Sequence, residues 1–328
     1  SGAVLLIGHI VIRRLAPHAD PVLFPVAAML NMLGLVMIHR LDVAAQLRAE
    51  VTDEKAPSPD AVAQATWVLV ALVLFTLVLF LVTDHRRLQR YTYTSGVAGV
   101  VLLLLPLVPI LGTSINGARL WVRLGPFSFQ PSELAKIALT IFFAGYLVRK
   151  REALATVRRK VLGLGIPRGR DFGPLLVAWL VALGVLAFER DLGTALMFFG
   201  VFVILLYVST QRRSWLIIGA GLFALAAVLG YLAFGHVQLR VKIWLDPWTY
   251  ANDEGYQLVQ ALFGLASGGL FGTGLGEGYP QFIPFAKTDF IAAALGEELG
   301  LAGMIAIVML FAILVERGLR TGLACRDP

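Results

Sequence analysis

Cysteine, histidine and charged residues are all scarce in this chain, and each scarcity excludes a class of protein. The single cysteine, Cys325, cannot form a disulfide framework or a cysteine-based metal site. The five histidines are scattered along the chain without metal-ligand spacing. Only 15% of the residues are charged, against roughly 25% in soluble domains. Hydrophobic residues make up 58% of the chain, and so large a share cannot fit inside a single water-soluble core. The chain is therefore predicted to be an all-α polytopic membrane protein.

Apolar runs long enough to cross a membrane recur along the chain. A helical span needs about 20 residues, and eight runs approach or exceed this length. A shorter run at residues 3–12 predicts a partial span, the end of a helix whose start is missing. We therefore expect a single membrane domain over residues 1–328. The eight runs lie near residues 21–39, 66–83, 95–111, 132–148, 172–188, 192–208, 214–235 and 290–315.

The basic residues divide unevenly between the two sides of these spans. Most of the 28 Lys and Arg fall on one side, with the densest run from Arg149 to Arg170. The positive-inside rule makes that side cytoplasmic. The net charge of +7 therefore reflects topology and contact with anionic membrane lipids, and no nucleic-acid partner is expected. Several remaining cations lie in two outer segments, residues 112–136 and 236–289.

The outer loop at residues 112–131 combines a turn signal with alternating aromatic and basic residues. Asn116-Gly117 predicts a turn. Trp121 lies between Arg119 and Arg123, which suits a short element in the headgroup region because each side chain has an apolar body and a polar tip. An interfacial anchor is one interpretation. The other is a ligand site, since arginine binds phosphate or pyrophosphate in a bidentate way.

The helix that follows this loop carries two opposite charges near its start. Glu133 and Lys136 are three residues apart and therefore share one helix face. A charge that enters the membrane must be paired or bind a ligand. Lys136 is consequently a further candidate for contact with an anionic ligand, and Glu133 belongs to the same candidate site.

The large extracytoplasmic loop at residues 236–289 interrupts the apolar pattern and ends in an acid. Residues 256–266 predict a short interfacial helix, and the glycines between 268 and 278 predict tight turns with close backbone approach to a ligand. Asp289 precedes the last span, so one interpretation is a helix N-cap. Because a carboxylate at the mouth of a membrane helix also indicates a functional site, Asp289 is a candidate site residue, and under the resemblance described next it is the candidate general base.

Three further acids occur near or within apolar helices. Glu297 and Glu298 must face a bundle interior or a water-filled cavity, and a structural polar network between helices is the favoured interpretation. Asp191 precedes an apolar run and is interpreted as an N-cap.

These motifs together resemble the SEDS family of RodA, FtsW and SpoVE, peptidoglycan glycosyltransferases of shape, elongation, division and sporulation. They occur in the family's order from about residue 21 to 320. Gly34-Leu-Val-Met-Ile-His-Arg-Leu-Asp42 is most similar to actinobacterial RodA. The matching stretches are Asn116-Gly-Ala-Arg-Leu-Trp121, Phe129-Gln-Pro-Ser-Glu-Leu-Ala-Lys136, Asp191-Leu-Gly-Thr-Ala195, Trp244-Leu-Asp-Pro-Trp248, Gly255-Tyr-Gln257, the glycine-rich run from Ser267 to Gly276, and Thr288-Asp-Phe-Ile291 with Gly296-Glu-Glu-Leu-Gly300.

The resemblance implies a helical bundle of ten core spans that polymerises lipid II into β-1,4 glycan on the outer face of the bacterial plasma membrane. It implies a class B penicillin-binding protein as partner and undecaprenyl-linked substrates. Asp289 matches the family's essential outer-loop acid, and Trp121, Glu133 and Lys136 fall on its functional cavity. A divalent cation, Mg or Mn, is a possible cofactor, with none certain. The family continues beyond the position of Pro328, so we expect C-terminal truncation.

Two other functions are compatible with an outward-facing cationic site. A lipid II flippase would need access from both leaflets and therefore charges within the cytoplasmic halves of helices, whereas the basic residues found there lie in loops. If the protein were a scaffold for a partner's membrane helix, the outer cations and Asp289 would have no function. The enzyme is therefore the main prediction and the flippase the alternative.

Overall fold

The computed structural model describes residues 2–53, 55–109, 111–115, 118–124, 127–155, 159–161, 164–166, 169–188 and 191–325. Over these residues the protein is mainly α-helical, with two small antiparallel sheets. The α-helices are α1 Gly2–Leu15, α2 Leu23–Thr52, α3 Asp60–Leu81, α4 Thr92–Leu104, α5 Pro131–Ala155, α6 Gly169–Phe188, α7 Leu192–Thr210, α8 Ser214–Ala233, α9 Gly235–Leu245, α10 Tyr256–Gly268 and α11 Ile291–Ala324. The strands are β1 Gly112–Ile115, β2 Ala118–Leu124, β3 Phe127–Phe129, β4 Arg159–Val161 and β5 Leu164–Ile166.

The long helices confirm the predicted multi-pass membrane protein. Within the described residues, seven helices are long and apolar enough to cross a membrane, and they correspond to seven of the eight predicted spans. The eighth predicted span, near residues 172–188, is α6, whose apolar stretch Gly173–Leu186 is shorter than a full span. The apolar run at residues 3–12 corresponds to α1.

The chain divides into two compact units. Unit 1 comprises Ser1–Thr83 and Phe234–Pro328, and unit 2 comprises Asp84–Ala233. The candidate residue Asp289 therefore belongs to unit 1. The outer loop at residues 112–131 and the helix that follows it belong to unit 2.

Unit 2 has an aromatic and aliphatic core formed by α4 to α8. Leu139 and Phe143 of α5 are fully buried in it, and the rings of Trp179 and Phe202 stack with centroids 4.8 Å apart. The backbone of α4 comes close to α5, because a Cβ at Gly99 would lie 2.6 Å from the Leu139 side chain. Small residues allow such approach between membrane helices, where packing replaces the hydrophobic effect as the driving force.

The outer loop of unit 2 folds as a three-stranded sheet in the order β1-β2-β3. Val122, at the centre of β2, pairs with Gly112 of β1 and with Phe129 of β3. Its side chain is almost fully buried, so the middle strand is fixed by packing on one face. The connection after α5 contains a second small sheet, β4 paired with β5. The sequence predicts loops in both connections, so the two sheets are a difference from that prediction.

Unit 1 has a smaller core between α2, α10 and α11. It includes Met37 and Leu41 of α2, Ala261 of α10 and Ala294 of α11. Helix α10 confirms the short helix predicted at residues 256–266. The large loop is otherwise more helical than expected, because α9 continues from Gly235 to Leu245.

Helix α11 is broken at Gly300, whose φ of 67° and ψ of −172° are non-helical. The break frees backbone groups on both sides of it, and the glycine-rich loop after α10 satisfies them. The carbonyls of residues 297 and 298 accept hydrogen bonds from the N–H groups of residues 273 and 274, at 3.0 and 3.1 Å. The N–H groups of residues 301 and 302 donate to the carbonyls of residues 269 and 270, at 2.9 and 3.0 Å. The predicted close backbone approach is therefore made to α11.

Candidate active site

The middle strand of the outer sheet carries the aromatic and basic candidates of unit 2. Side chains alternate along a strand, so Trp121 and Arg123 lie on one face of β2 and the buried Val122 on the other. Trp121 is half-buried and Arg123 is exposed. The backbone of Arg119 pairs with Ser114, whereas its side chain lies outside the described residues. The exposed face of β2 can therefore present an indole ring and a guanidinium to a ligand.

The first turns of α5 contain the predicted charged pair. Lys136 Nζ lies 2.7 Å from Glu133 Oε1. The Glu133 side chain is 60% exposed and the Lys136 side chain 21%. Both groups thus retain contact with the surroundings, and an anionic ligand can reach the ammonium by displacing the exposed carboxylate.

Asp191 acts as the predicted N-cap of α7. Its Oδ1 accepts a hydrogen bond from the Thr194 N–H at 3.0 Å. Its Oδ2 accepts from Gln130 Nε2 at 3.4 Å, next to the start of α5. Glu189 and Arg190, which precede Asp191 in the chain, lie outside the described residues, as does the predicted Asn116-Gly117 turn.

Asp289 does not cap the last helix. Helix α11 begins at Ile291, its N-cap residue is Phe290, and among the described residues no side chain is seen to cap it by a hydrogen bond. The N-cap interpretation of Asp289 is therefore wrong, because the helix starts one residue too late for the carboxylate to reach its free N–H groups. Asp289 is exposed, and among the described residues it has no hydrogen bond or ion pair. Its carboxylate is available to a ligand.

Two residues before Asp289, Lys287 pairs with two carboxylates. Lys287 Nζ lies 2.6 Å from Asp42 Oδ1 and 2.7 Å from Asp60 Oδ2. The other oxygen of Asp42 accepts a hydrogen bond from the Ala61 N–H at 2.7 Å, at the start of α3. Burial lowers the pKa of the Lys287 ammonium, but its hydrogen bonds to Asp42 and Asp60 outweigh this and raise the pKa above its ordinary value. Lys287 is therefore a stably charged link between three elements of unit 1.

A second ion pair connects α2 to α11. Arg40 Nε lies 2.8 Å from Glu298 Oε1, and Glu298 is fully buried, as predicted for an acid inside the bundle. The remaining nitrogens of Arg40 donate to the Gly278 carbonyl at 2.6 Å and to Gln281 Oε1 at 3.3 Å. Glu297 is also buried and accepts the Tyr279 N–H at 2.7 Å. The structural network predicted for these two acids is thus present.

Sequence reasoning missed both contacts of α2. Both Arg40 and Asp42 occur in the sequence analysis only as members of a family motif, Gly34 to Asp42. The available signal was a carboxylate at position 42 inside a long apolar run, since an intramembrane acid requires a partner. The identity of that partner was not readable, because Lys287 is 245 residues away in the chain.

Two cavities of unit 1 lie between α2 and the segment that precedes Asp289. One, of about 520 Å³, is lined by Arg40, Leu47, Glu277 and Tyr279 among others. The other, of about 360 Å³, is lined mostly by apolar residues, together with Asp60, Lys287 and Thr288. Both are open and partly polar, which is suitable for a hydroxyl-rich ligand.

The six predicted site residues are divided between the units. Asp289 belongs to unit 1, and the other five, Arg119, Trp121, Arg123, Glu133 and Lys136, belong to unit 2. Within the part of the chain that the structure describes, no three His, Cys, Asp or Glu side chains are grouped to hold a metal ion. Arg123 and Lys136 are described residues that offer positive charge to an anionic ligand.

The fold and the charged outer segments define a multi-pass membrane protein with exposed acidic and basic groups near the ends of its helices. The family model for FtsW, RodA and SpoVE, described as cell cycle proteins, matches residues 21–328. The chain belongs to this family.

Named relatives support the predicted similarity to actinobacterial RodA. The peptidoglycan glycosyltransferase RodA of Mycobacterium tuberculosis strain H37Rv is 50% identical over 320 residues, which cover 97% of this chain and 67% of that protein. RodA of Mycobacterium leprae is 48% identical over 319 residues, with the same coverage of 97% and 67%. A chain from a solved peptidoglycan synthase complex that coordinates polymerization and crosslinking has a TM-score of 0.55 and 28% identity, covering 99% of this chain and 77% of that one.

Proposed function

We propose that this protein is a peptidoglycan glycosyltransferase that polymerises lipid II into β-1,4-linked glycan strands for cell-wall elongation and cell shape. Its relatives are named for that activity. The reaction occurs at the extracytoplasmic face of the bacterial plasma membrane, where the positive-inside rule puts the outer segments. The observation that carries the proposal is Asp289, an exposed carboxylate without a partner among the described residues, next to a lysine that is paired twice.

The proposed reaction is a single inverting displacement. A hydroxyl of the acceptor sugar attacks the anomeric carbon of the donor, and the bond between that carbon and the pyrophosphate oxygen breaks. Asp289 accepts the hydroxyl proton as general base, and the polyprenyl pyrophosphate leaves with the bonding electrons. An inverting displacement uses a base near the nucleophile, and a positioned base contributes about 10²–10⁴-fold to the rate.

The cations of unit 2 bind the pyrophosphate in this proposal. Arg119 and Arg123 of β2 bind its oxygens, and Lys136 adds a point charge once Glu133 releases it. Positive charge stabilises the leaving group in the transition state. The half-buried Trp121 offers an apolar surface to a sugar ring. The polyprenyl chain stays in lipid, so the chemistry takes place at the headgroup level.

A class B penicillin-binding protein is the proposed partner. Polymerised glycan must be cross-linked through its peptides, which is a separate transpeptidase reaction. The structural relative comes from a complex that coordinates polymerization and crosslinking. A complex of the same kind would deliver new strands directly to the cross-linking enzyme.

The test is glycan polymerisation from purified lipid II by the protein together with a class B penicillin-binding protein. We expect long glycan from the wild type, and a loss of about 100-fold or more in Asp289→Ala and Asp289→Asn. Asp253→Ala is the matched control, because Asp253 is another exposed acid of the same outer segment. Wild-type polymerisation by folded Asp289→Ala contradicts the assignment of the base. Transfer of lipid II between leaflets without any polymer supports the flippase instead.

A further inference from the structure

We propose that Asp42 and Arg40 of α2 are positioning residues that hold the catalytic acid in place through two ion pairs of opposite polarity. The inference rests on the proposed role of Asp289 as general base. The segment concerned, residues 276–289, is named the acid segment. Neither α2 residue touches the reacting atoms in this proposal, since each acts through a residue of the acid segment or of α11.

The contact made by Asp42 fixes the end of the acid segment. Asp42 is 3% exposed, so its charge requires compensation. One of its oxygens pairs with Lys287 at 2.6 Å and the other accepts the Ala61 N–H at 2.7 Å. Lys287 also reaches Asp60, in the first turn of α3. The Lys287 ammonium is thereby held by two helices at once.

The contact made by Arg40 fixes the beginning of the acid segment. Its guanidinium reaches the Gly278 carbonyl, the Gln281 amide oxygen and the buried Glu298 carboxylate. Only part of the Arg40 side chain is exposed, and its donors are directed to protein acceptors. Because its guanidinium is engaged by these protein acceptors, we assign Arg40 a structural role and no role in ligand binding.

The polarity of the two contacts specifies one placement of the segment. On α2, the positive Arg40 pairs with the negative Glu298. Two residues later, the negative Asp42 pairs with the positive Lys287. Sliding the acid segment and α11 together along α2 would bring like charges together or leave a buried charge unpaired, which is strongly unfavourable. Complementary charges of this kind fix register.

Asp289 lies between two fixed points. Lys287 precedes it by two residues, and α11 begins two residues after it. A turn closes the interval, because the N–H groups of Thr288 and Phe290 both donate to the Phe285 carbonyl, at 3.0 and 3.2 Å. Little backbone freedom remains for residue 289. A general base must lie within about 2.6–3.2 Å of its proton donor, and a displacement of about 1 Å can cost roughly 100-fold in rate.

The test measures initial rates of glycan formation against lipid II concentration for Asp42→Asn, Lys287→Met and Asp60→Asn. We expect kcat to fall about 10–100-fold in the first two with little change in KM. Asp60→Asn should lose less, because the Asp60 side chain is 61% exposed and Lys287 keeps Asp42. Lys287→Arg, which preserves the charge, should recover most of kcat. The double variant Asp42→Asn with Lys287→Met should lose no more than the worse single variant, since both changes remove one contact.

The matched control is Asp20→Asn, at the opposite end of α2. Asp20 accepts the Val22 N–H at 2.8 Å and lies 3.5 Å from Arg317, so it also combines a backbone contact with an ion pair. Its kcat should remain at the wild-type value. An equal loss of kcat in Asp20→Asn, or wild-type kcat in folded Asp42→Asn and Lys287→Met, overturns the inference. If either of these results is found while Asp289→Ala is inactive in the same assay, the positioning role fails but the proposed function stands. Failure of the inference can therefore be distinguished from failure of the proposed function.

Should Asp42→Asn and Lys287→Met fail to fold, Asp60→Asn carries the test alone. Because Asp60 is largely exposed, its loss removes one of the two carboxylates on Lys287 without burying an unpaired group. A fall of about 2–10-fold in kcat, with KM and thermal stability unchanged, supports the positioning role. An unchanged kcat contradicts it.

Discussion

Two lysines next to acids, one in each unit, differ in what their charges do. Lys136 of unit 2 pairs with Glu133 only three residues away on the same helix, and the Glu133 carboxylate is 60% exposed. Lys287 of unit 1 pairs with Asp42 from a distant part of the chain, and that carboxylate is 3% exposed. The local pair holds no two elements together, so its charges are available to a ligand. The distant pair joins elements, so its charges serve the fold.

The energetic expectations for the two kinds of pair differ accordingly. Exposed pairs at this helical spacing contribute about 0.2–0.5 kcal/mol, since solvent screens them. Breaking a buried pair by removing one partner costs about 3–5 kcal/mol, because an uncompensated charge remains in a medium of low dielectric. Variants of unit 1 should therefore lose stability, whereas variants of the unit 2 pair should lose activity at nearly constant stability.

The largest effect on stability is expected from Arg40→Met. Glu298 is fully buried and its Oε2 has no hydrogen-bond partner among the described residues, so loss of Arg40 would leave the whole carboxylate uncompensated. We expect a loss of about 3–5 kcal/mol, measured by denaturant unfolding in detergent. Arg48→Met is the control, because Arg48 lies on the same helix with an exposed side chain. Equal stability of the two variants would contradict the distinction between buried and exposed charges.

A smaller loss is expected from Gly300→Ala, which tests the backbone part of the same region. At φ 67° and ψ −172° a residue with a side chain is strained by about 1–3 kcal/mol, and a Cβ there would meet the backbone nitrogen of Gly272. The variant should lose the contacts between the glycine-rich loop and α11, seen as faster proteolysis within that loop. Gly318→Ala, in an open and regular part of α11, should be neutral or stabilising by up to about 1 kcal/mol. Similar behaviour of the two alanine variants would refute the importance of the break.

The sequence was sufficient wherever the relevant signal was local. Apolar length located the spans, and the spacing of Glu133 and Lys136 predicted their contact, which the structure contains. The Asp191 cap was equally readable from the start of an apolar run. These predictions succeed because helical periodicity and capping depend on neighbours within a few residues.

The sequence was insufficient where the signal was distant or depended on backbone conformation. The partner of Asp42 is 245 residues away, and no periodicity encodes such a pairing. Glycine at position 300 permits a break without requiring one, so the interruption of α11 was not predicted. The outer loop shows alternation over too few residues to separate a strand from an irregular segment, which explains why β1 to β3 were missed. The start of α11, two residues after Asp289, likewise decides against an N-cap that the position of Asp289 before an apolar run allowed as one interpretation.

The smallest effect on stability, together with a distinct effect on activity, is expected from Glu133→Gln. The amide keeps the shape of the side chain and removes the charge that pairs with Lys136 at 2.7 Å. Because the carboxylate is mostly exposed, the free energy of unfolding should change by less than about 0.5 kcal/mol.

Lys136 would then be uncompensated and should bind pyrophosphate more tightly in the ground state and in the product, so KM should fall and slower release should lower kcat. Steady-state polymerisation with and without added pyrophosphate, as a competing ligand, measures both changes. Lys136→Gln should raise KM instead. A stability loss in Glu133→Gln as large as that in Arg40→Met, without any change in KM, would show that the unit 2 pair is structural and would remove the contrast between the two lysines.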